Sequence, residues 1–434
     1  MALPEVLLTA VGGDGTCGVR AWALPSALPL MAYRGGSTAP RSMCVLRGEY
    51  VLAAQAGKQY INVWETQRKD QLQQKVICPG VVTCLVASPD GLHIVVGIAE
   101  SLYVWETSSG GLLDVLCRHY QDIMCLSFAD DGGHFVSGGK DNLAIVWSLA
   151  GILRNGEPRH VWNQHTLPVM DVCCGVGGVR ARVATASLDQ TAKLWELGSG
   201  LLLFSVVLGM PVTAVALDPA EYWLFCGTSP GTISVVPLHT TKREQMVQIN
   251  AEEKNCLRGH KAEVTCMAVT MDGGMLVSGS ADGTVCLWDI DSGQCIRTIP
   301  HKGPVNALLL VSRLRGVLSN AEARPSLPLP RFSRLPRTAE AGGGTDFFIA
   351  PEEQIYSKVL SSWMGSVGEQ QSSSLSTDFQ WDSSLGFGWA TQGLSCLVLK
   401  AFLCCFGCML GVIVLLEATT WLPGPCKELD HGYS

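Results

Sequence analysis

The chain has 434 residues, a formal net charge of −7 and 18 cysteines. It is long enough to bury a sizeable core, and its slight acidity supplies no global attraction to nucleic acid, which favours protein partners for most of the surface. Thirteen of the cysteines fall before residue 312, mostly on apolar stretches such as 82–88 and 263–269, with no paired CxxC spacing that would hold zinc. They read as small buried hydrophobes of a reducing compartment, and the lack of a secretory leader pattern or an Asn-x-Ser/Thr sequon argues against secretion.

In chain order, residues 4–33 offer three strand-like runs, Val6–Val11, Cys17–Trp22 and Leu28–Tyr33. Trp22 opens a series at Trp64, Trp105, Trp147, Trp195, Val236 and Trp288, spaced ~40 to 50 residues apart, which marks one point in seven copies of a four-stranded unit. The expected fold is all-β, a seven-bladed β-propeller over residues 1–311. A propeller is first of all a rigid platform for partners, so function must be argued from its surfaces. The fullest copies, 135–148, 182–196 and 276–289, each read as an apolar strand, a small-residue turn ending in Asp, and an alternating strand closing on Trp.

Upstream of those Asp and Trp positions stand a His and a Ser or Thr. The three sets are His119, Ser137, Asp141 and Trp147; His165, Thr185, Asp189 and Trp195; and His260, Ser278, Asp282 and Trp288. With this pattern the chain resembles the WD-repeat family, and the resemblance implies that each set forms a hydrogen-bond relay within a blade. The relay is expected to be structural rather than a catalytic triad, because its groups satisfy one another.

The sixth copy is irregular. Val236 replaces Trp, Pro237 follows and is expected to demote that strand toward an edge, and an excursion over Thr240–Asn255 carries Lys242, Arg243, Glu244, Glu252 and Glu253 as a solvated loop or a docking insertion. After Cys295–Ile299 one surplus strand remains, Pro304–Val311, expected to supply the missing inner strand of the first blade and so close the ring. Residues 312–337 form a basic, Pro-rich stretch with Arg313, Arg315, Arg324, Arg331, Arg334 and Arg337. It should be extended, either as a solvated strap across the propeller or as a contact for RNA phosphate or an acidic partner. Residues 338–393 are Gly- and Ser-rich and read as an irregular, disordered linker. The run 394–416 is apolar but for Lys400 and long enough to span a bilayer, or else is a non-native tail or a buried helix; 417–434 is a short tail.

Nothing in the chain signals chemistry. There is no phosphate-binding loop, dinucleotide fingerprint, HExxH or nucleophile elbow, so no enzyme activity, cofactor or metal is expected. Segments off the repeat pattern are more specific: 67–75, 117–122, 158–162, 187–196, 302–310 and 324–332 are similar to those of WD-repeat subunits of the Rix-type assembly. That resemblance implies a non-catalytic scaffold in the nucleus (nucleolus and nucleoplasm), also seen in the cytoplasm, for large-ribosomal-subunit assembly and internal transcribed spacer processing. The implied partners are a helical-repeat scaffold, a testis-expressed-type repeat protein, a SUMO protease, an AAA remodelling ATPase and the pre-ribosomal particle. The resemblance ends near residue 337, where 338–393 lacks the heptads of a self-association helix. The competing reading, a tail-anchored adaptor at a cytoplasmic membrane face, rests only on the last part of the chain.

Overall fold

Short segments of alternating or wholly apolar residues, each ended by a turn, commit this chain to strands. A computed structural model describes residues 5–13, 17–67, 72–238, 246–248, 256–312, 314 and 329–334. These hold 29 strands, one short helix (Leu149–Asn155) and a single 3-10 turn (Gly178–Arg180), all within the compact unit Met1–Gly343. The strands form seven sheets, the blades of a β-propeller. The seven marker positions, Trp22 to Trp288, each occupy the penultimate residue of the third strand of a blade.

The placement has a packing reason. The hydrophobic core is divided into seven layers, each shared by two consecutive blades, and every layer takes in one marker residue. Trp195 packs with Val146 and Trp162 of the preceding blade, and Trp288 with Phe225 and Ile233. A large flat side chain there fills the wedge that opens between twisted sheets as they fan outward.

Blade one is built from both ends of the described propeller. Val305–Val311 pairs antiparallel with Val6–Val11, setting Leu8 opposite Leu309 and Ala10 opposite Ala307, and becomes the innermost strand. The Gly12 amide donates to the Pro304 carbonyl at 2.8 Å. Pairing the ends removes two open sheet edges and fastens the ring without a covalent bond.

Blade six departs from the expectation. Thr232–Pro237 is no edge strand: it lies between Trp223–Thr228 and the three-residue outer strand Cys256–Arg258, with Pro237 at its last position, where only the end of the ladder lacks a donor. From the excursion read as a loop, Met246–Gln248 pairs in parallel with Leu202–Val207 and gives blade five a fifth strand. Lys242, Arg243, Glu244, Glu252 and Glu253 lie outside the described residues, as do 338–393, 394–416 and 417–434. Among the described residues no helix is long and apolar enough to cross a membrane.

At the closure a Cβ on Gly303 would meet the Gly12 carbonyl oxygen at 2.0 Å, a backbone contact that cannot swing aside. Gly303→Ala should therefore force the two ends apart and cost about 1–3 kcal/mol, the usual range for overpacking. Denaturant unfolding measures it, and an unchanged midpoint would show that the closure tolerates the methyl.

Candidate interaction surfaces and the relays beneath them

The twelve relay residues are brought together in three sets. In blade four, His119 Nδ1 donates to Asp141 at 2.9 Å, Nε2 accepts from the Ser137 hydroxyl at 2.8 Å, and Trp147 Nε1 donates to the same hydroxyl oxygen at 3.0 Å. Blade five repeats this with His165–Asp189 at 2.9 Å, His165–Thr185 at 2.8 Å and Trp195–Thr185 at 3.0 Å. Blade seven varies it. His260 Nδ1 is nearer Thr284 Oγ1, at 3.0 Å, than Asp282, at 3.5 Å, while Ser278 still takes His260 at 2.7 Å and Trp288 at 2.8 Å.

The aspartates also cap the loops above, accepting from the backbone amides of Tyr120, Thr166 and Lys261. Burial alone would raise the Asp189 carboxyl, but hydrogen bonds from His165 and Thr191 outweigh it and hold the group well below the usual carboxylate range. Burial lowers the His260 imidazole, against the pull of Asp282. A Ser–His–Asp geometry invites comparison with a hydrolase. Here Ser137, Thr185 and Ser278 are fully buried and each hydroxyl already serves both His and Trp, so no substrate reaches them.

One further set is visible only in three dimensions. His301, in the sequence HKGPV that parallels HKAEV at His260, meets Trp22 edge-to-face at 5.5 Å, and Trp22 Nε1 donates to Thr9 at 3.0 Å. These are the blade-one counterparts of His, Trp and Ser, divided between the two ends of the ring. Burial, with Arg20 adding to it, pushes the His301 imidazole down to about 4. The signal in the sequence was the repeated HK-x-x-V.

Sequence reasoning also missed a latch through the middle of the ring. The innermost strand of blade two bulges between Thr38 and Met43, with Arg41 at φ 47°. The Arg41 guanidinium reaches Asp171 of blade five at 3.2 Å and donates to the carbonyls of Thr213 in blade six (2.6 Å) and Thr265 in blade seven (3.0 Å). Asp171 accepts in addition from the Val215 amide at 2.9 Å. One side chain thus ties four blades across the channel.

The arginines of the basic stretch are only partly placed. Arg331 and Arg334 are exposed; Arg313, Arg315, Arg324 and Arg337 lie outside the described residues. Of the strap, residues 329–334 are described and carry neither helix nor strand; this part is not simply solvated, for Leu329 and Phe332 pack on the layer between blades two and three. On the loop side of the ring, Val81, Tyr120, Leu167 and Met210 expose apolar side chains on four successive blades, with Tyr120 81% accessible. The twelve cysteines with described side chains are free thiols, and burial pushes Cys44, Cys84 and Cys226 up to about 12, which keeps them protonated and inert. No group of three or more potential metal ligands occurs among the described residues.

A closed ring of seven sheets with buried His–Ser/Thr–Trp relays defines a WD-repeat β-propeller. The model described as "WD domain, G-beta repeat" matches residues 110–148, 156–196 and 251–289, three segments that each end one residue past Trp147, Trp195 or Trp288. The chain is 53% identical over 323 residues to WD repeat-containing protein 18 of Danio rerio, covering 73% of this chain and 74% of that one. It is 52% identical over 329 residues to the protein of that name in Homo sapiens, covering 74% and 76%. It is also similar, at 27% identity over 384 residues (85% and 71%), to pre-rRNA-processing protein pro-1 of Caenorhabditis elegans. The chain belongs to the WD repeat-containing protein 18 family.

Three substitutions test the site. Asp189→Ala leaves buried partners unpaired and should cost about 1–3 kcal/mol at pH 7. Because the folded carboxyl titrates below its unfolded value, that deficit should be fully present above pH ~4 and shrink as acid protonates the wild-type group, read as the gap between two stability–pH curves. Arg41→Met should cost about 3–5 kcal/mol by leaving Asp171 unpaired. Adding Asp171→Asn should recover part of the loss, and additive losses in a double-mutant cycle would show that the latch carries no coupling.

Proposed function

We propose that the chain is a non-catalytic scaffold subunit of a nuclear complex that assembles the large ribosomal subunit and processes the internal transcribed spacer of its rRNA. The observation that carries this is the identity to WD repeat-containing protein 18 along a stretch the length of the propeller, together with the likeness to a protein named for pre-rRNA processing. Seven interlocked blades make a stiff body whose loops and outer strands present separate faces, which suits holding several macromolecules at once.

On this reading residues 1–311 are the docking body and 312–337 a strap that adds to it. The partners are a helical-repeat scaffold, a testis-expressed-type repeat protein, a SUMO protease, an AAA remodelling ATPase and the pre-ribosomal particle. Exposed Arg331 and Arg334 are where the strap would touch RNA phosphate. Residence in nucleolus and nucleoplasm, with a cytoplasmic share, follows from the role. The relays His119–Trp147, His165–Trp195 and His260–Trp288 serve stability, holding the loops that partners meet.

Depletion of the protein should cause spacer-containing rRNA precursors to accumulate, seen by hybridisation to the spacer, and the tagged full chain should co-sediment with pre-ribosomal particles. Normal spacer processing after depletion would overturn the proposal.

A further inference from the structure

Blade three has no relay of its own. Where blade four carries His119, Ser137 and Asp141, the matching strand and loop positions hold Cys78, Val96 and Glu100. The Trp105 indole N–H donates instead to the Ser333 carbonyl at 2.7 Å, on the strap. The Ser333 amide donates to the Gly110 carbonyl at 2.7 Å, and the Gln74 side chain to the Pro330 carbonyl at 3.3 Å. Phe332 meets Trp105 edge-to-face at 6.3 Å.

Between blades four and five the propeller fills the equivalent place from its own outer strand. Trp162 stacks on Trp195 at 4.6 Å and donates to the Gly200 carbonyl at 3.0 Å. Gly110 and Gly200 close the same turn in their blades, at φ 69° and 72°. The strap therefore sits where another blade interface has a built-in side chain. Unlike that side chain, it is joined to the ring through residues 315–328. Beside its first residues a cavity of about 460 Å³, lined by Leu46, Arg47, Tyr50, Thr107, Leu329 and Pro330, stays open.

Two half-buried apolar side chains and three hydrogen bonds make a ligand of modest intrinsic strength. Its hold comes from tethering, which sets its local concentration on the order of millimolar. Such a clip resists weak competitors and yields to a segment of the same chemistry that also reaches the open cavity. We propose that the groove between blades two and three is a docking site for an extended Leu-Pro-x-Phe-Ser segment of a partner protein, closed in the free protein by residues 329–334 acting as a displaceable internal ligand.

Anisotropy of a labelled peptide copying residues 326–336, titrated with the full chain, tests this. The double variant Leu329→Ala/Phe332→Ala vacates the groove and should bind the peptide at least tenfold more tightly than wild type. Adding Gly110→Ala should abolish that binding, because its methyl would meet the Arg331 carbonyl oxygen, and the corresponding peptide oxygen, at 2.3 Å. Adding Gly209→Ala instead carries the same backbone strain, at φ 69° with nothing within 4 Å, and should leave binding intact. Equal binding by wild type and the double variant, or binding that survives Gly110→Ala, overturns the proposal. Wild-type protein supplies a readout that needs no variant: excess peptide should speed hydrogen exchange at the Ser333 amide and leave that of Ser137 unchanged, and an unaffected Ser333 would make the strap a fixed part of the fold. Concentration-dependent dimers of wild type, dispersed by the peptide, would assign the groove to a second copy's strap and also defeat it.

Discussion

The last strand of the ring, Val305–Val311, is the piece on which the remaining architecture depends. Val305 lies in the apolar layer between blades seven and one, and Ala307 in the layer between blades one and two. Because the core exists only as layers between neighbouring blades, a ring left open would expose two faces of it as well as two strand edges. Closing it buries both at once, with the backbone bond from Gly12 to Pro304 and the near contact of Gly303 with Gly12 holding the seam.

The same demand, that each buried indole find an acceptor, is met differently around the ring. Blades one, four, five and seven offer a hydroxyl, from Thr9, Ser137, Thr185 and Ser278. Trp64 of blade two takes the Arg34 carbonyl of blade one's outer strand, at 2.9 Å from its Nε1, and blade three borrows Ser333. Blade six avoids the demand by carrying Val236. In blades four, five and seven, His and Asp extend the network to the loop amides and stiffen the surface above. Where the hydroxyl is absent, the indole draws in another segment, and that is how the strap acquires a seat on the propeller.

Rigidity and adaptability are thus separated. The Arg41 latch and the relays stiffen the channel and the loop side, with the buried carboxyls of Asp171 and Asp189 held by Arg41 and His165. The groove between blades two and three is occupied by a tethered hexapeptide stretch beside an open cavity, so under the proposed displacement it is the place where a propeller of fixed shape changes what it presents. Parallel addition of Met246–Gln248 to the outer edge of blade five is a second instance of an inserted segment covering a surface that the basic repeat leaves open.

Much of this was legible from the residues alone. The Trp period placed the third strand of each blade, the His–Ser/Thr–Asp–Trp spacing located three relays, and the surplus strand after Cys295 pointed to the closure; all are written within single repeats or follow from counting them. The unread features join residues far apart: Arg41 to Thr265 across 224 positions, Trp105 to Ser333 across 228, and Thr9 and Trp22 to His301 across the seam. Pro237 misled because a strand-breaking residue is harmless at the last rung of a ladder, and no local pattern says which rung it occupies. Sequence alone determined the unit and its repetition, since hydrophobic period and turn chemistry act over a few residues. Only the tertiary structure decided which carbonyl a lone indole would find and which strand an excursion would join, because those choices are made among groups that meet only after the ring has closed.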